Sequence, residues 1–397
     1  MPLAPLTLLT TLLHVFIGLR LVPALAGVTT GWPLVVVLLV VSAFTMPLPF
    51  LRRRGPRHGW PAALQWLGLL SMGWFSSLLL LTLARDAGLL LAWGGSWALG
   101  ATPDWPRWQG LSALGAVALA TAVSVVGFFN ARRTAPVRRV EVPIEGLPSQ
   151  LRGFTIAQLS DIHVGPTIRQ RYIQRIVDTV NGLGADMVAI TGDLVDGTVP
   201  ELREHIAPLA QLRARHGTFV VTGNHEYYAG AHAWIDELRR LGLRVLLNEH
   251  VVLQTRNVHG AQTDEEILES ALVVAGVTDY TAGHFDASHA SDPQRAVRDA
   301  PPLVHTRVLL AHQPRSAPAA AEAGFQLQLS GHTHGGQFFP WNLFVPLQQP
   351  FTAGLHRLHE MWVYVSRGTG YWGPPKRFGA PSEIALITLT RPRPAAR

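Results

Sequence analysis

The stretch from Val188 to Gly197 reads Val-Ala-Ile-Thr-Gly-Asp-Leu-Val-Asp-Gly. Its apolar run predicts a buried parallel strand, which delivers Asp193 directly after Gly192 at the carboxyl end of that strand. Open α/β sheets bind their ligands at this edge. One carboxylate in this position is a weak indication, because a Gly-Asp pair after a strand is most often a turn.

Four other segments repeat this arrangement, in which a short apolar or alternating run ends in Asp, Asn or His. The segments are 157–163, 220–226, 309–312 and 327–334. Their polar residues are Asp161, His163, Asn224, His225, His312, His332 and His334. Each residue alone fits a cap, a turn or a satisfied core histidine. Because all of them follow predicted strands, we expect the second half of the chain to be an α/β scaffold for one two-metal site.

The side chains in this set suit divalent cations. The chain contains no Cys and 17 His, so a metal must be held by imidazole, carboxylate or amide oxygen. Asp161 and His163 leave the same predicted strand end. Asp193 has two oxygens and can bridge two ions, and Asn224 offers a neutral carbonyl oxygen. The remaining donors are His312, His332 and His334.

Residues 1–130 differ from the rest of the chain, because they are rich in Leu, Val, Ala and Trp and carry few charges. A helix of ~20 apolar residues crosses a bilayer. Four segments meet this requirement: about 6–28, 32–50, 62–84 and 109–129. The shorter stretch 87–100 predicts an interfacial or re-entrant segment, and a span there would reverse the topology. The lack of a basic start argues against a cleavable signal peptide.

Arginines in the predicted loops indicate the orientation of the spans. One side carries Arg52, Arg53, Arg54, Arg57, Arg132, Arg133, Arg138 and Arg139, and the other carries Arg85 and Arg107. This asymmetry predicts an integral membrane protein with a cytoplasmic C-terminal domain. Arg20 lies inside the first span, where it either reaches the interface or faces the bundle interior in a functional role.

The composition divides the chain into three parts: a transmembrane domain at 1–130, a basic linker at 131–150 and an α/β domain at 151–397. Strand and helix periodicities predict a βαβ unit at 154–159, 168–181 and 187–191. Short strands separated by turns follow after residue 242. The acidic stretch 263–269 receives no role.

The motifs together resemble the full signature of the calcineurin-like metallophosphoesterases, over roughly residues 150–390. They are Asp161-Ile-His163, Gly192-Asp193, Gly223-Asn-His-Glu226, His312 and Gly331-His-Thr-His334. The segments 335–337 and 366–368 resemble a bacterial branch of membrane-attached phosphodiesterases and lipid-precursor pyrophosphatases. The resemblance implies an α/β domain of two packed mixed β-sheets flanked by helices, next to the all-α transmembrane bundle.

The resemblance also implies a role for each motif residue. One divalent ion (Mn, Fe or Zn) would be held by Asp161, His163, Asp193 and His334. A second would be held by Asp193, Asn224, His312 and His332. His225 would not be a ligand. It would lie beside the phosphoryl group and stabilise charge or protonate the leaving oxygen.

The predicted function is therefore membrane-anchored, metal-dependent hydrolysis of a phosphodiester or pyrophosphate by a metal-bridging hydroxide. A lipid-linked phosphate ester is one candidate substrate. The alternative is a membrane sensor or scaffold with a weakly active phosphoesterase fold, against which the complete ligand set argues. A nuclease ranks low, because the arginines flank the membrane spans.

Three further cations stand near the end of the domain. For Arg367, a contact with substrate phosphate and a simple β-turn are equally compatible with the sequence. Lys376 and Arg377 are expected in an exposed basic loop, with lipid headgroups as the alternative partner.

Overall fold

The computed structural model describes residues 3–50, 60–254, 263, 268 and 270–392. The chain divides into two compact units, Met1–Arg132 with Gly373–Lys376 and Arg133–Trp372 with Arg377–Arg397. The loop that holds Arg52 to Arg57 lies outside the described residues, as does most of the acidic stretch 263–269.

The first unit consists of long apolar helices. They are α1 (Leu3–Ala26), α2 (Trp32–Thr45), α3 (Ala62–Leu99) and α4 (Trp105–Arg132). In the part of the chain that the structure describes, four segments are long and apolar enough to cross a membrane, and the second of them extends α2 to Phe50. The helices pack through a shared apolar cluster that includes Ile17, Leu39 and Leu78. Outward-facing Leu19, Leu91 and Trp97 remain exposed, which suits a hydrocarbon solvent.

Helix α3 runs without a break for 38 residues, where the sequence predicted a span at 62–84 and a separate stretch at 87–100. The charges in its middle are paired, which explains why they do not interrupt it. Asp86 accepts a hydrogen bond from Arg85 Nη1 at 2.7 Å and one from Arg20 Nε at 2.7 Å. Arg20 of α1 therefore has a specific partner on α3, and the described residues contain four long helices.

The short segment Gly373–Lys376 belongs to the helical unit. Lys376 is 2% exposed, and its Nζ donates hydrogen bonds to Gly73 O at 2.8 Å, Ser77 Oγ at 2.5 Å and Ser124 Oγ at 3.1 Å. These three oxygens satisfy an ammonium that would otherwise be costly to bury. The prediction of an exposed loop is therefore wrong for Lys376.

The second unit contains two six-stranded mixed sheets. The first consists, in spatial order, of β1 (Val137–Pro143), β12 (Ile384–Thr390), β2 (Thr155–Leu159), β3 (Met187–Thr191), β4 (Thr218–Val221) and β5 (Arg244–Val245). The second consists of β10 (Gly354–Leu358), β11 (Met361–Val365), β9 (Leu327–Ser330), β8 (Thr306–Leu310), β7 (Leu272–Gly276) and β6 (Glu249–Leu253). Neighbouring strands are parallel except in the pairs β12–β2, β10–β11 and β6–β7.

The helices of this unit are shorter. They are α5 (Gln170–Asn181), α6 (Val199–Ile206), α7 (Asn224–Ala229), α8 (Ala231–Arg240), α9 (Pro293–Val297) and α10 (Ala317–Glu322). Helix α5 buries the face that carries Ile173, Ile176 and Val180, as its periodicity predicts. Helix α6 begins at a capping box formed by Thr198 and Glu201.

Apolar side chains from both sheets meet in one core. Ile156, Ala189 and Val221 of the first sheet belong to the same buried cluster as Val274 and Leu310 of the second. Because β2, β3 and β4 run parallel, as do β7, β8 and β9, each sheet gathers its carboxyl ends at one edge. The two-sheet architecture predicted from the sequence is confirmed.

Residues 137–143 form strand β1, although they lie in the stretch that was predicted to be a linker. The strand pairs in parallel with β12. Val142 is fully buried, whereas Arg138 and Arg139 are exposed. The basic and proline-containing composition concealed the strand, because its apolar residues alternate with solvent-facing charges.

Candidate metal centre

All seven predicted ligands emerge from strand ends of the two sheets. The loop after β2 carries Asp161 and His163, and the loop after β3 carries Asp193. The turn after β4 leads into α7, whose first residue is Asn224. The loops after β8 and β9 carry His312, His332 and His334.

The first group of donor atoms contains Asp161, His163 and His334, next to Asp193. His163 Nε2 lies 3.1 Å from His334 Nε2, and His334 Nε2 lies 3.6 Å from Asp161 Oδ1. Asp193 Oδ2 is 3.8 Å from His163 Nε2. These atoms converge on one small volume from three different loops.

The second group shares Asp193 with the first. The Oδ2 atom of Asp193 lies 3.1 Å from His312 Nε2, and His312 Nε2 lies 3.2 Å from His332 Nδ1. The other ring nitrogen of His312, Nδ1, donates a hydrogen bond to Thr191 O at 2.8 Å. That bond fixes the imidazole so that Nε2 faces Asp193.

Asn224 lies beside the same carboxylate. The backbone N–H of His225 donates to Asp193 Oδ1 at 2.9 Å, and a Cβ added to Gly223 would overlap the Asp193 carboxylate. Asn224 Oδ1 is buried and has no hydrogen-bond partner in the described part of the chain. A buried amide oxygen normally has a partner, so this one fits a ligand position for a cation.

The backbone of the centre is strained. Five of its residues have positive φ angles, namely Asp161 at 52°, His163 at 55°, Asp193 at 53°, His332 at 69° and His334 at 52°. Residues other than glycine seldom adopt this region, at a cost of about 1–3 kcal/mol each. The strain turns the donor atoms of three loops toward one another, which is typical of a preorganised functional site.

The charge states of the buried groups suit metal binding. Burial and the nearby His312 lower the pKa of His332 to about 3. Burial, and to a smaller extent the charge of Arg377, holds the pKa of His334 well below its usual value. Burial opposes ionisation of Asp193, but His312 nevertheless brings its pKa well below the usual value. Neutral imidazoles beside an ionised carboxylate are the forms that bind divalent cations, and His332, His334 and Asp193 have these forms. Burial would lower the pKa of His312, but Asp193 and Asp161 raise it well above its usual value, so a cation would have to displace a proton from His312. The donor set as a whole fits such ions.

Asp196 is a functional residue that sequence reasoning missed. Its Oδ1 accepts hydrogen bonds from His163 Nδ1 at 2.9 Å and from His225 Nδ1 at 2.7 Å. Burial would raise the pKa of Asp196, but His163 and His225 lower it to about 2. The only available signal was its position three residues after Asp193 in the same loop.

Glu226 has a structural role that its motif did not reveal. Its buried carboxylate accepts hydrogen bonds from the backbone N–H groups of Asp193 at 3.0 Å, Leu194 at 2.7 Å and Gly223 at 2.6 Å. These bonds fasten the loop after β3 to the turn before α7. Burial and the charge of Asp193 raise the pKa of Glu226 to about 7.

His225 lies at the solvent side of the centre. Its Nε2 is 4.0 Å from Asp193 Oδ2, and its side chain is 17% exposed. Tyr228 and Trp372 contact its ring edge to face, with centroid distances of 5.2 Å and 5.8 Å. Burial lowers its pKa, but the carboxylates of Asp196 and Asp193 outweigh this effect and raise it to about 9.

Two cations from the end of the domain lie close to the centre. Arg377 is 1% exposed, so the prediction of an exposed basic loop is wrong for it too. Its guanidinium donates to His334 Nδ1 at 2.9 Å and to His334 O at 2.9 Å. Arg367 forms an ion pair with Glu383 at 3.0 Å. The two roles considered from the sequence, a contact with substrate phosphate and a β-turn, did not include this ion pair.

Comparison with known proteins shows the class to which this fold and site belong. Residues 154–336 match the family model of the calcineurin-like phosphoesterases. The chain is 40% identical over 311 residues to a bovine (Bos taurus) transmembrane protein with metallophosphoesterase domain, covering 77% of this chain and 68% of that protein. The zebrafish (Danio rerio) protein of the same name is 38% identical over 282 residues, covering 69% of this chain and 62% of that protein.

A bacterial relative gives a similar result. An uncharacterized metallophosphoesterase of Campylobacter jejuni is 37% identical over 262 residues, covering 66% of this chain and 64% of the relative. The chain therefore spans between 62% and 68% of the length of these relatives. It belongs to the calcineurin-like metallophosphoesterase family, which confirms the resemblance seen in the sequence, and the fold implies that divalent metal ions bind its His and Asp clusters.

Proposed function

We propose that this chain is a membrane-anchored phosphoester hydrolase that uses two divalent cations to cleave a phosphodiester or a pyrophosphate. The observation that supports it best is the position of Asp193 Oδ2. This oxygen faces His312 Nε2 at 3.1 Å and His163 Nε2 at 3.8 Å, which come from opposite sheets. One carboxylate between two sets of imidazoles is the arrangement that a binuclear centre needs.

The ligand assignment follows from the two groups of donors. One cation would be held by Asp161, His163, Asp193 and His334, and the other by Asp193, Asn224, His312 and His332, which the clustering of His and Asp and the unpartnered Asn224 Oδ1 support. Manganese, iron and zinc are the ions whose preferences match this mixture of imidazole and oxygen ligands. Two such ions supply a water of lowered pKa and neutralise charge on the phosphoryl oxygens.

The protein's own residues orient and protonate the substrate. His225 keeps Nδ1 bonded to Asp196, so its Nε2–H faces the centre and donates to a phosphoryl oxygen or to the leaving oxygen. Glu226 holds the loop that carries Asp193. Arg377 donates a hydrogen bond to the backbone carbonyl of His334 and so fixes the loop that carries this residue. These contacts set the geometry of the centre before substrate arrives.

A membrane-borne substrate, such as a lipid-linked phosphodiester or pyrophosphate, fits the remaining features. Helices α1 to α4 are long and apolar enough to anchor the chain in a bilayer, and the vertebrate relatives are named as transmembrane proteins. Arg138 and Arg139 are exposed on β1, where they would be attracted to anionic headgroups. The excess of arginine on one side of the spans favours a catalytic domain on the cytoplasmic side of the bacterial inner membrane.

The decisive experiment uses the full-length protein purified in detergent. It is stripped with a chelator, reloaded with Mn²⁺, Fe²⁺ or Zn²⁺, and assayed on a monoester, a diester, a nucleotide-sugar pyrophosphate and a lipid-linked pyrophosphate. We expect metal-dependent hydrolysis, fastest on the diester or on a pyrophosphate. Metal-loaded protein that cleaves none of the four would contradict the proposal and favour the sensor. A topology reporter fused to the C-terminus tests the orientation.

A further inference from the structure

A second cluster of metal-binding side chains lies outside the catalytic centre. It consists of His232 on α8 and of Asp286 and His289 in the 3₁₀ turns that follow β7. Each residue offers one ligand atom, and these atoms lie within 4.8 Å of one another. In the described part of the chain, every other such group belongs to the catalytic centre. We call these three residues the outer cluster.

The side chains of the outer cluster are held in position by their neighbours. Asp286 Oδ1 accepts hydrogen bonds from the backbone N–H of Ser288 at 2.9 Å and from its hydroxyl at 2.6 Å. The other oxygen, Oδ2, lies 3.0 Å from His232 Nε2. The ring centroids of His232 and His289 are 4.9 Å apart. His289 Nδ1 lies 2.8 Å from the hydroxyl of Tyr227, which holds the ring in place.

We propose that the outer cluster binds one divalent transition-metal cation of the zinc type, through His232 Nε2, Asp286 Oδ2 and His289 Nε2. Two imidazoles and one carboxylate match the donor preference of zinc, whereas magnesium and calcium favour oxygen ligands. Three protein ligands leave a coordination position for water. The hydroxyl of Tyr227 acts as the outer partner that fixes the ring of a metal-bound histidine.

A simple ion pair explains less of this arrangement. A pair between His232 and Asp286 needs one histidine, yet a second imidazole is fixed beside it by Tyr227. The side chain of His232 is 72% exposed, so an ion from solvent has direct access. Because its side chain is exposed, His232 can also be replaced without disturbing the packed interior of the domain.

The ion would join three elements next to the catalytic centre. It would link α8 to the turns at 282–289 and, through Tyr227, to α7, which begins at Asn224. Phe285 packs against Tyr228 at a centroid distance of 5.5 Å, and Tyr228 contacts His225 at 5.2 Å. The bound ion would therefore hold the rings of Phe285 and Tyr228 in place beside His225.

Zinc stoichiometry tests this proposal on the full-length protein in detergent. Metal-stripped wild type, His232→Ala and His289→Ala are brought to equilibrium by dialysis against the same free Zn²⁺ concentration, and bound zinc is measured by mass spectrometry. We expect each variant to bind one ion fewer per chain than wild type. The matched control, His284→Ala, changes an exposed histidine of the same segment outside the cluster and should bind as much as wild type.

The comparison is repeated in an Asp193→Asn background, which separates the outer cluster from the catalytic centre. Adding His232→Ala to that background should again remove one ion per chain and should weaken the visible absorption of bound Co²⁺. Equal metal content with and without His232→Ala, in both backgrounds, would overturn the proposal. Because the readout is a difference in bound metal, it holds whether or not the enzyme acts on the substrates proposed above.

Discussion

Asp196 Oδ1 accepts a hydrogen bond from His225 Nδ1 at 2.7 Å. The same oxygen accepts one from His163 at 2.9 Å, so one carboxylate orients both a proposed metal ligand and the histidine proposed to contact substrate. The rings of His163 and His225 lie edge to face, with centroids 4.7 Å apart. We therefore expect metal binding by His163 and proton donation by His225 to be coupled through Asp196.

Replacing Asp196 by Asn should test this link. The amide leaves the volume unchanged, but it removes the charge that both imidazoles share. We expect metal affinity and kcat each to fall by about 10- to 100-fold, the usual effect of losing an outer partner of a metal ligand. Metal titration and steady-state kinetics measure the two effects. Asp178→Asn, an exposed change on α5, serves as the control, and an unchanged Asp196→Asn enzyme would refute the link.

Replacing Asp193 by Asn should nearly abolish turnover. The substitution removes the charge that both proposed cations share, and we expect less than roughly a tenth of wild-type kcat together with reduced metal content. Activity is compared at saturating Mn²⁺, with metal content measured on the same samples. A variant that retains more activity than this would show that Asp193 does not bridge.

Replacing His225 by Ala should separate chemistry from metal binding. His225 donates to the substrate in the proposed mechanism and binds no ion, so kcat should fall by roughly 100-fold or more at unchanged metal content. His332→Ala, which removes a proposed ligand, is the matched comparison and should lose metal. If His225→Ala loses metal to the same extent, His225 is itself a ligand.

Replacing Glu226 by Ala should destabilise the catalytic unit. Its carboxylate accepts backbone N–H groups from two loops, and each buried donor left without a partner costs about 1–3 kcal/mol. We expect a lower unfolding midpoint for the detergent-solubilised protein. Glu204→Ala on the exposed face of α6 controls for the loss of a surface charge, and equal midpoints for the two variants would argue against this role.

Replacing Asp86 by Asn should weaken the helical unit. The carboxylate accepts hydrogen bonds from Arg20 and Arg85, and its loss leaves two guanidinium groups near each other without a counter-charge. The thermal midpoint of the solubilised protein should fall. Arg107→Gln, at an exposed site on α4, should leave it unchanged. No difference between the two variants would show that the ion pair contributes nothing.

The sequence predicted the proposed metal ligands better than the residues that orient them. Asp161, Asp193 and His312 each follow an apolar strand, and strand ends of a parallel sheet converge by geometry, so their meeting could be anticipated. Asp196 and Glu226 orient other residues of the centre through hydrogen bonds. A single carboxylate in a loop does not indicate such a role in the sequence.

Charged residues far from their partners were predicted least well. Lys376 meets groups on α3 and α4 that lie some 250 to 300 positions away in the chain, so composition alone indicated solvent. Arg377 lies 43 positions after its partner His334, and composition indicated solvent for it too. Helix α3 appeared as two segments because Arg85 and Asp86 interrupt its apolar run, whereas their pairing preserves the helix.

Strand β12 lies between β1 and β2. Its residue Ile384 pairs with Val137 on one side, and its residue Ala385 pairs with Gln158 on the other. The polypeptide emerges from the ribosome starting at its amino end, so β1 and β2 are made long before the strand that separates them. The first sheet can close only after β12, at Ile384–Thr390, has been synthesised. The facing edges of β1 and β2 therefore stay unpaired until β12 is made, and unpaired strand edges are the parts of a folding chain that are prone to aggregation.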